Sequence, residues 1–300
     1  MNNPLTNDPI IQQLIRWAER QDSVRAMLLT STRAIPHATV DLLSDYDVIL
    51  VVRDIHPFHV DRRWLQAFGQ VLVSYWDPIQ PDPIYGFAYF GNVIEYGDGL
   101  KIDFTLWPVA LLQRIVNESM LPAELDAGYQ ILLDKDQLTD GMPPPSYMAY
   151  RPTPPTHEFY QTFVEEFFSD VPYVAKCLWR HELLPAKWCL DYDMKHVYLR
   201  QLLEWRMAID HHWSTPTGAL GKGLKKQLPP ALWSQLEASY AGADVAENWA
   251  ALYKTIALFR QVASEVAEQL GYRYPVALDQ QVTTYAQKIQ RLPPGATCFL

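Results

Sequence analysis

Apolar positions along this chain follow two rhythms. Up to about residue 140 they come mostly as short runs. Residues 24–29 form one such run, predicted as a buried strand. Residues 48–52, VILVV, form a second, unbroken and rich in β-branched side chains, as expected of a strand covered on both faces. Residues 71–75 give a third candidate strand. In 101–106 the pattern alternates: Ile102, Phe104 and Leu106 point one way, and Lys101, Asp103 and Thr105 the other. Residues 131–133 are predicted as a last edge strand. Between these runs, Ile10, Ile11, Leu14, Trp17 and Ala18 fall at helical spacing over 10–19. Pro108 opens a second helix that runs through Val116.

The second rhythm begins after residues 143–155, PPPSYMAYRPTPP, which hold six prolines in thirteen positions. Proline fixes φ and removes a donor, so this stretch is extended and semi-rigid. It is read as a linker between a domain at 1–142 and a domain at 156–300. The latter has helical periodicity throughout. Helices are predicted over 156–184, 185–212, 219–228, 230–240, 247–270 and 276–290, with Gly271 ending the long fifth one.

Composition is that of a globular chain with a proper core: 300 residues, 49% hydrophobic and 20% charged. The formal charge is −9. Residues 1–142 carry 10 basic and 19 acidic side chains, so the excess lies wholly in the first half. This argues against a broad nucleic-acid-binding surface, but not against a local phosphate pocket. The acidic half fits solubility, or a site for metal ions or a cationic substrate. Cys177, Cys189 and Cys298 have no CxxC spacing and form neither a disulfide framework nor a zinc cluster. No signal peptide or membrane span is read, so a reduced, cytoplasmic location is expected, without a membrane partner.

The chemistry centres on Ser44-Asp45-Tyr46-Asp47, entering the strand at 48–52. Alternate strand residues share a face, which places the Cα atoms of Asp45 and Asp47 roughly 6.6–6.8 Å apart. Two carboxylates so placed can converge on Mg²⁺; a solvated turn is the plainer alternative. Upstream, the first strand ends in Thr30-Ser31-Thr32-Arg33, whose hydroxyls, N–H groups and positive charge suit phosphates. Downstream, Asp103 stands among apolar residues of a strand, an unfavourable place for an unpartnered carboxylate. It either belongs to the same site or pairs with Lys101 or Arg33. A hydroxyl/Arg turn, a DxD strand and a later strand Asp together match the active-site pattern of the nucleotidyltransferase superfamily.

The chain also resembles the aminoglycoside 6-adenylyltransferases, which modify streptomycin. The resemblance runs nearly end to end, through RAMLLTSTRAIP, LSDYDVILVV, FGQVLV, KIDFTL, LLDKD, RPTPPTHEF, PYVAKCLWRHELLPA, GKGLKKQL, ALFRQVASEVA and GYRYP. One position departs: the family usually shows Gly-Ser-Arg at the turn, where this chain has Ser31-Thr32-Arg33.

The resemblance implies an α+β architecture, with an N-terminal nucleotidyltransferase-type mixed sheet flanked by helices and a C-terminal helical bundle that closes the site. It implies transfer of AMP from ATP to a hydroxyl of an aminoglycoside, with release of pyrophosphate. Asp45 and Asp47 would hold Mg²⁺, two ions by analogy. Asp103 would complete the metal site or take the hydroxyl proton. Ser31, Thr32 and Arg33 would contact the nucleotide, joined by Lys176 and by Lys222, the latter among Gly218, Gly221 and Gly223. A cationic acceptor calls for carboxylates, and Glu95, Asp191, Asp193 and Glu204 are the candidates. Asp191 can equally pair with Lys195 along its own helix. A different small-molecule acceptor, or a nucleotide-binding homologue without activity, are the alternatives. A monomer or weak dimer is expected.

Overall fold

The computed structural model describes residues 7–36, 38–215 and 219–298. The chain divides into two compact units, Met1–Ala149 and Tyr150–Leu300, with the division inside the proline-rich stretch.

The first unit is built on a mixed sheet of seven strands: β1 (Val24–Thr30), β2 (Tyr46–Val52), β3 (Val71–Trp76), β4 (Gln80–Pro81), β5 (Ala88–Tyr96), β6 (Lys101–Pro108) and β7 (Tyr129–Asp134). Their order is β3-β5-β6-β2-β1-β7, with β4 on β5. Only β2 and β6 run parallel. The side chains of β2 and β6 are apolar on both faces, because both faces are covered. Val48, Leu50, Ile102, Phe104 and Leu106 pack with helix α1 (Pro9–Glu19), and Ile49, Val51 and Trp107 pack on the opposite face. Short helices α2 (His56–Val60) and α4 (Ala123–Asp126) bracket α3 (Val109–Val116), which covers that second face through Leu111, Leu112 and Ile115.

The 24–29, 48–52, 71–75, 101–106 and 131–133 runs all lie in strands, and β7 is an edge strand as expected. Strand β5 was not foreseen. Its buried row is Phe90, Asn92, Ile94 and Tyr96, so a buried Asn interrupts the apolar alternation. Gly91 breaks the other row, where a Cβ would come within 2.9 Å of the Asp77 carboxylate.

The second unit is helical: α5 (His157–Trp179), α6 (Leu183–Lys187), a π-helix (Trp188–Leu199), α7 (Arg200–Asp210), α8 (Leu224–Gln227), α9 (Pro230–Ala238), α10 (Val245–Leu270) and α11 (Val276–Arg291). Its core joins Phe163, Phe167 and Phe168 of α5 to Leu252, Phe259 and Val262 of α10. Phe167 and Phe259 stack face to face at 3.5 Å between centroids. Helix α5 ends five residues before the predicted 184. His181 takes a left-handed conformation (φ 60), and the N–H groups of His181 and Glu182 close the end on the carbonyls of Leu178 and Cys177. The helix predicted over 185–212 is wound as a π-helix in its middle. At the other end of the unit, Asp244 caps α10 by accepting from the Glu247 N–H at 2.9 Å.

Candidate active site

The site lies where β1, β2 and β6 present their polar ends. Parallel pairing of β2 with β6 sets Asp47 directly beside Asp103. Antiparallel pairing of β1 with β2 sets Thr30 beside Asp47. Asp45 immediately precedes β2, two residues from Asp47. Register alone thus gathers three acids that are 56 or more residues apart in pairs with Asp103.

The turn after β1 is a single 3-10 turn, Ser31–Ala34. Its first residue, Ser31, has φ 58, the left-handed region that glycine adopts without strain. This is the position where the resembled family carries glycine. The Ser31 hydroxyl stands near the Asp47 carboxylate and favours its charged form. Arg33 orders the segment that carries the acids. Its Nε donates to the Asp45 carbonyl at 3.0 Å and its Nη2 to the Ser44 carbonyl at 2.8 Å. The guanidinium lies 3.7 Å from the Tyr46 ring centroid. Asp8, which sequence reasoning passed over, caps α1 and accepts the Tyr46 hydroxyl at 2.9 Å. It also lies 3.6 Å from Arg33. The signal was present in Asp8-Pro9, an N-cap residue followed by proline at the first helical position.

Lys101 is the cation among these acids. Its Nζ donates to Asp103 Oδ2 at 2.9 Å and also to Asp45 Oδ2. Of the two partners considered for Asp103, Lys101 is therefore the one found. Asp103 Oδ1 is buried with no hydrogen-bond partner. Burial raises the Asp103 carboxyl above its usual range, partly offset by Lys101. Burial, then the neighbouring Asp103 charge, raises Asp47 as well, against the Ser31 hydroxyl. Burial draws Lys101 down, but Asp45 and Asp103 outweigh it and hold the ammonium charged. Glu95 of β5 pairs with Lys101 across the strands and adds a fourth carboxylate to this neighbourhood.

In the helical unit, Lys176 and Lys222 are exposed. Lys222 stands between Gly221 and Gly223, both left-handed, while Gly218 lies outside the described residues. Asp191 is clamped by two lysines, Lys187 and Lys195, each at 2.6 Å. Lys195 is buried over the Tyr240 ring. Glu204 is buried and paired with Arg200 at 2.6 Å. Asp193 instead joins Asp170 and Cys189, with ligand atoms all within 4.8 Å of one another. Burial, then Asp193, pushes the Asp170 carboxyl up to about 6. Among the described residues this is the one group of three or more His, Cys, Asp or Glu side chains that close. Asp45, Asp47 and Asp103 stand further apart, with Lys101 between two of them.

A mixed sheet that sets a hydroxyl-bearing turn against carboxylates paired across parallel strands is a nucleotidyltransferase arrangement. The chain belongs to the streptomycin adenylyltransferase family, whose model matches residues 6–289. It is accordingly an enzyme of the nucleotidyltransferase class. It is 28% identical to an aminoglycoside 6-adenylyltransferase of Campylobacter jejuni over 91% of both chains. It is 28% identical to another from Bacillus subtilis (strain 168), over 91% of this chain and 94% of the relative. A crystal structure of an aminoglycoside 6-adenyltransferase from Bacillus subtilis aligns with 94% of this chain and 98% of its own, at 23% identity and a TM-score of 0.45.

Proposed function

We propose that this enzyme transfers AMP from ATP to a hydroxyl of an aminoglycoside of the streptomycin type. The acceptor oxygen bonds to the α-phosphorus, the bond from that phosphorus to the bridging oxygen breaks, and pyrophosphate leaves. The observation that carries the reading is the pairing of Asp47 with Asp103 beside Asp45, within a family match spanning both units.

The residues present fit a hard divalent cation. The donors are carboxylate oxygens, one of them buried and unpartnered, and the single ammonium among them neutralises only part of their charge. We assign Asp45 and Asp47 to Mg²⁺, two ions in the full reading, which when bound neutralise charge on the triphosphate. Asp103 accepts the proton of the attacking hydroxyl at Oδ1, while Lys101 holds Oδ2. Its raised pKa brings it toward the range a base needs. The turn Ser31-Thr32-Arg33 serves the phosphates, with Arg33 acting through the Asp45 segment that it orders. Lys176 and Lys222 are assigned to the triphosphate on their sequence match. Glu95 is assigned to the cationic acceptor, as is Asp193; the ion pairs of Asp191 and Glu204 give those two residues structural work instead.

Purified protein with ATP, MgCl₂ and streptomycin is expected to release pyrophosphate and to form a streptomycin–AMP adduct visible by mass spectrometry. Asp103→Asn is expected to lower kcat about 10²- to 10⁴-fold, the usual range for a positioned general base. An adduct formed equally well by Asp47→Asn and wild type would refute the site. Adducts on other acceptors only would keep the enzyme class and change the substrate.

A further inference from the structure

Lys101 is placed unusually for a strand lysine. It stands two residues before Asp103 on the same face of β6, so its side chain and that carboxylate leave the sheet together. Its ammonium reaches across to Asp45, and its backbone pairs in register with Glu95. An ammonium offers three donors and no acceptor, so one group can tie several carboxylates. It uses Asp45 Oδ2 and Asp103 Oδ2, and leaves Asp103 Oδ1 buried without a partner. Asp47, paired with Asp103 in register, feels the Lys101 charge, but the Lys101 hydrogen bonds go to Asp45 and Asp103. The carboxylate cluster is thus half neutralised and half open.

We propose that Lys101 is the resident counter-ion of this cluster: it holds Asp45 and Asp103 together, and it cedes Asp45 to an entering divalent cation. This rests on the assignment of Asp45 and Asp47 to metal. The ammonium and the metal need the same Asp45 lone pairs and repel each other, so Lys101 weakens metal binding. In return, the acids stay gathered before metal arrives. Lys101 is therefore a positioning residue that sets the metal affinity of the site.

Mn²⁺ binding, measured by calorimetry at pH 8 without nucleotide, tests this. Lys101→Met is expected to bind Mn²⁺ at least about threefold more tightly than wild type, through loss of a competing charge. Asp47→Asn is expected to lose the binding. Unchanged or weaker binding by Lys101→Met, with binding still lost in Asp47→Asn, overturns the role of Lys101 and leaves the metal assignment standing. Equal binding by Asp47→Asn and wild type overturns the metal assignment and the proposal with it. Should Lys101→Met fail to fold, acetylation of wild-type Lys101 by acetic anhydride decides, read by peptide mass spectrometry. Release from Asp45 is expected to raise labelling when Mn²⁺ saturates the protein, and labelling that does not rise overturns the proposal.

Discussion

Ser31 carries a left-handed backbone and a hydroxyl that favours the Asp47 carboxylate at once. The two effects oppose each other and can be separated. A left-handed conformation costs a residue with a Cβ roughly 1–2 kcal/mol, and glycine escapes most of that. Ser31→Ala loses the hydroxyl and keeps the strain; Ser31→Gly loses both. Urea denaturation is expected to find Ser31→Gly more stable than Ser31→Ala by about 1 kcal/mol. At this scale the sequence was a good guide to which residues matter and a poor one to what they touch. Asp45, Asp47 and Asp103 were legible because charges are rare in apolar strands. The task of Arg33 was not, because it depends on the carbonyls of Ser44 and Asp45, which a loop brings within reach. Lys101 was visible only as a way to neutralise Asp103. Its second contact, with Asp45, comes from a residue 56 positions away and needs the β2–β6 pairing.

At the level of elements, the apolar runs marked five strands well. Strand β5 escaped because Gly91, which leaves room for the Asp77 carboxylate, and the buried Asn92 interrupt its apolar alternation. The π-helical winding of 188–199 was likewise hidden, since α- and π-helices share their amphipathic signature too closely for a short segment. That segment contains an asymmetric ion pair. Lys195 is fully buried, Asp191 is partly exposed, and Lys187 shares the carboxylate. Removing one partner of a buried pair strands the other charge, whereas an apolar replacement of the buried cation does not. Asp191→Asn is therefore expected to destabilise the protein by about 3 kcal/mol, and Lys195→Met by under about 1 kcal/mol, in urea titrations. Equal costs would mean that Asp191 does not hold Lys195 in place.

For the molecule as a whole, a charge of −9 adds to the cost of each buried carboxylate at high pH. Asp170, facing Asp193, Glu166 and the Cys189 thiol, shows the direction. Its pKa rises on folding from 3.8 to about 6, so the folded state binds the proton more tightly. That contribution is complete below pH 3.8 and is lost as pH rises through about 6. The full shift corresponds to about 3 kcal/mol, which half-exposure reduces to about 1 kcal/mol. Asp170→Asn is accordingly expected to gain about 1 kcal/mol over wild type at pH 8 and much less at pH 4, by urea denaturation at the two pH values.

The placement of Asp47 and Asp103 has a consequence for motion. Their strands, β2 and β6, each have a neighbour on both sides, while β3, β4 and β7 have open edges. Sheets open from their margins, and interior strands hold out to the highest free energies. Peeling of β7 or β3 leaves the two acids opposite each other. Carboxylate spacing is thus set by two interior strands rather than by the margins of the sheet.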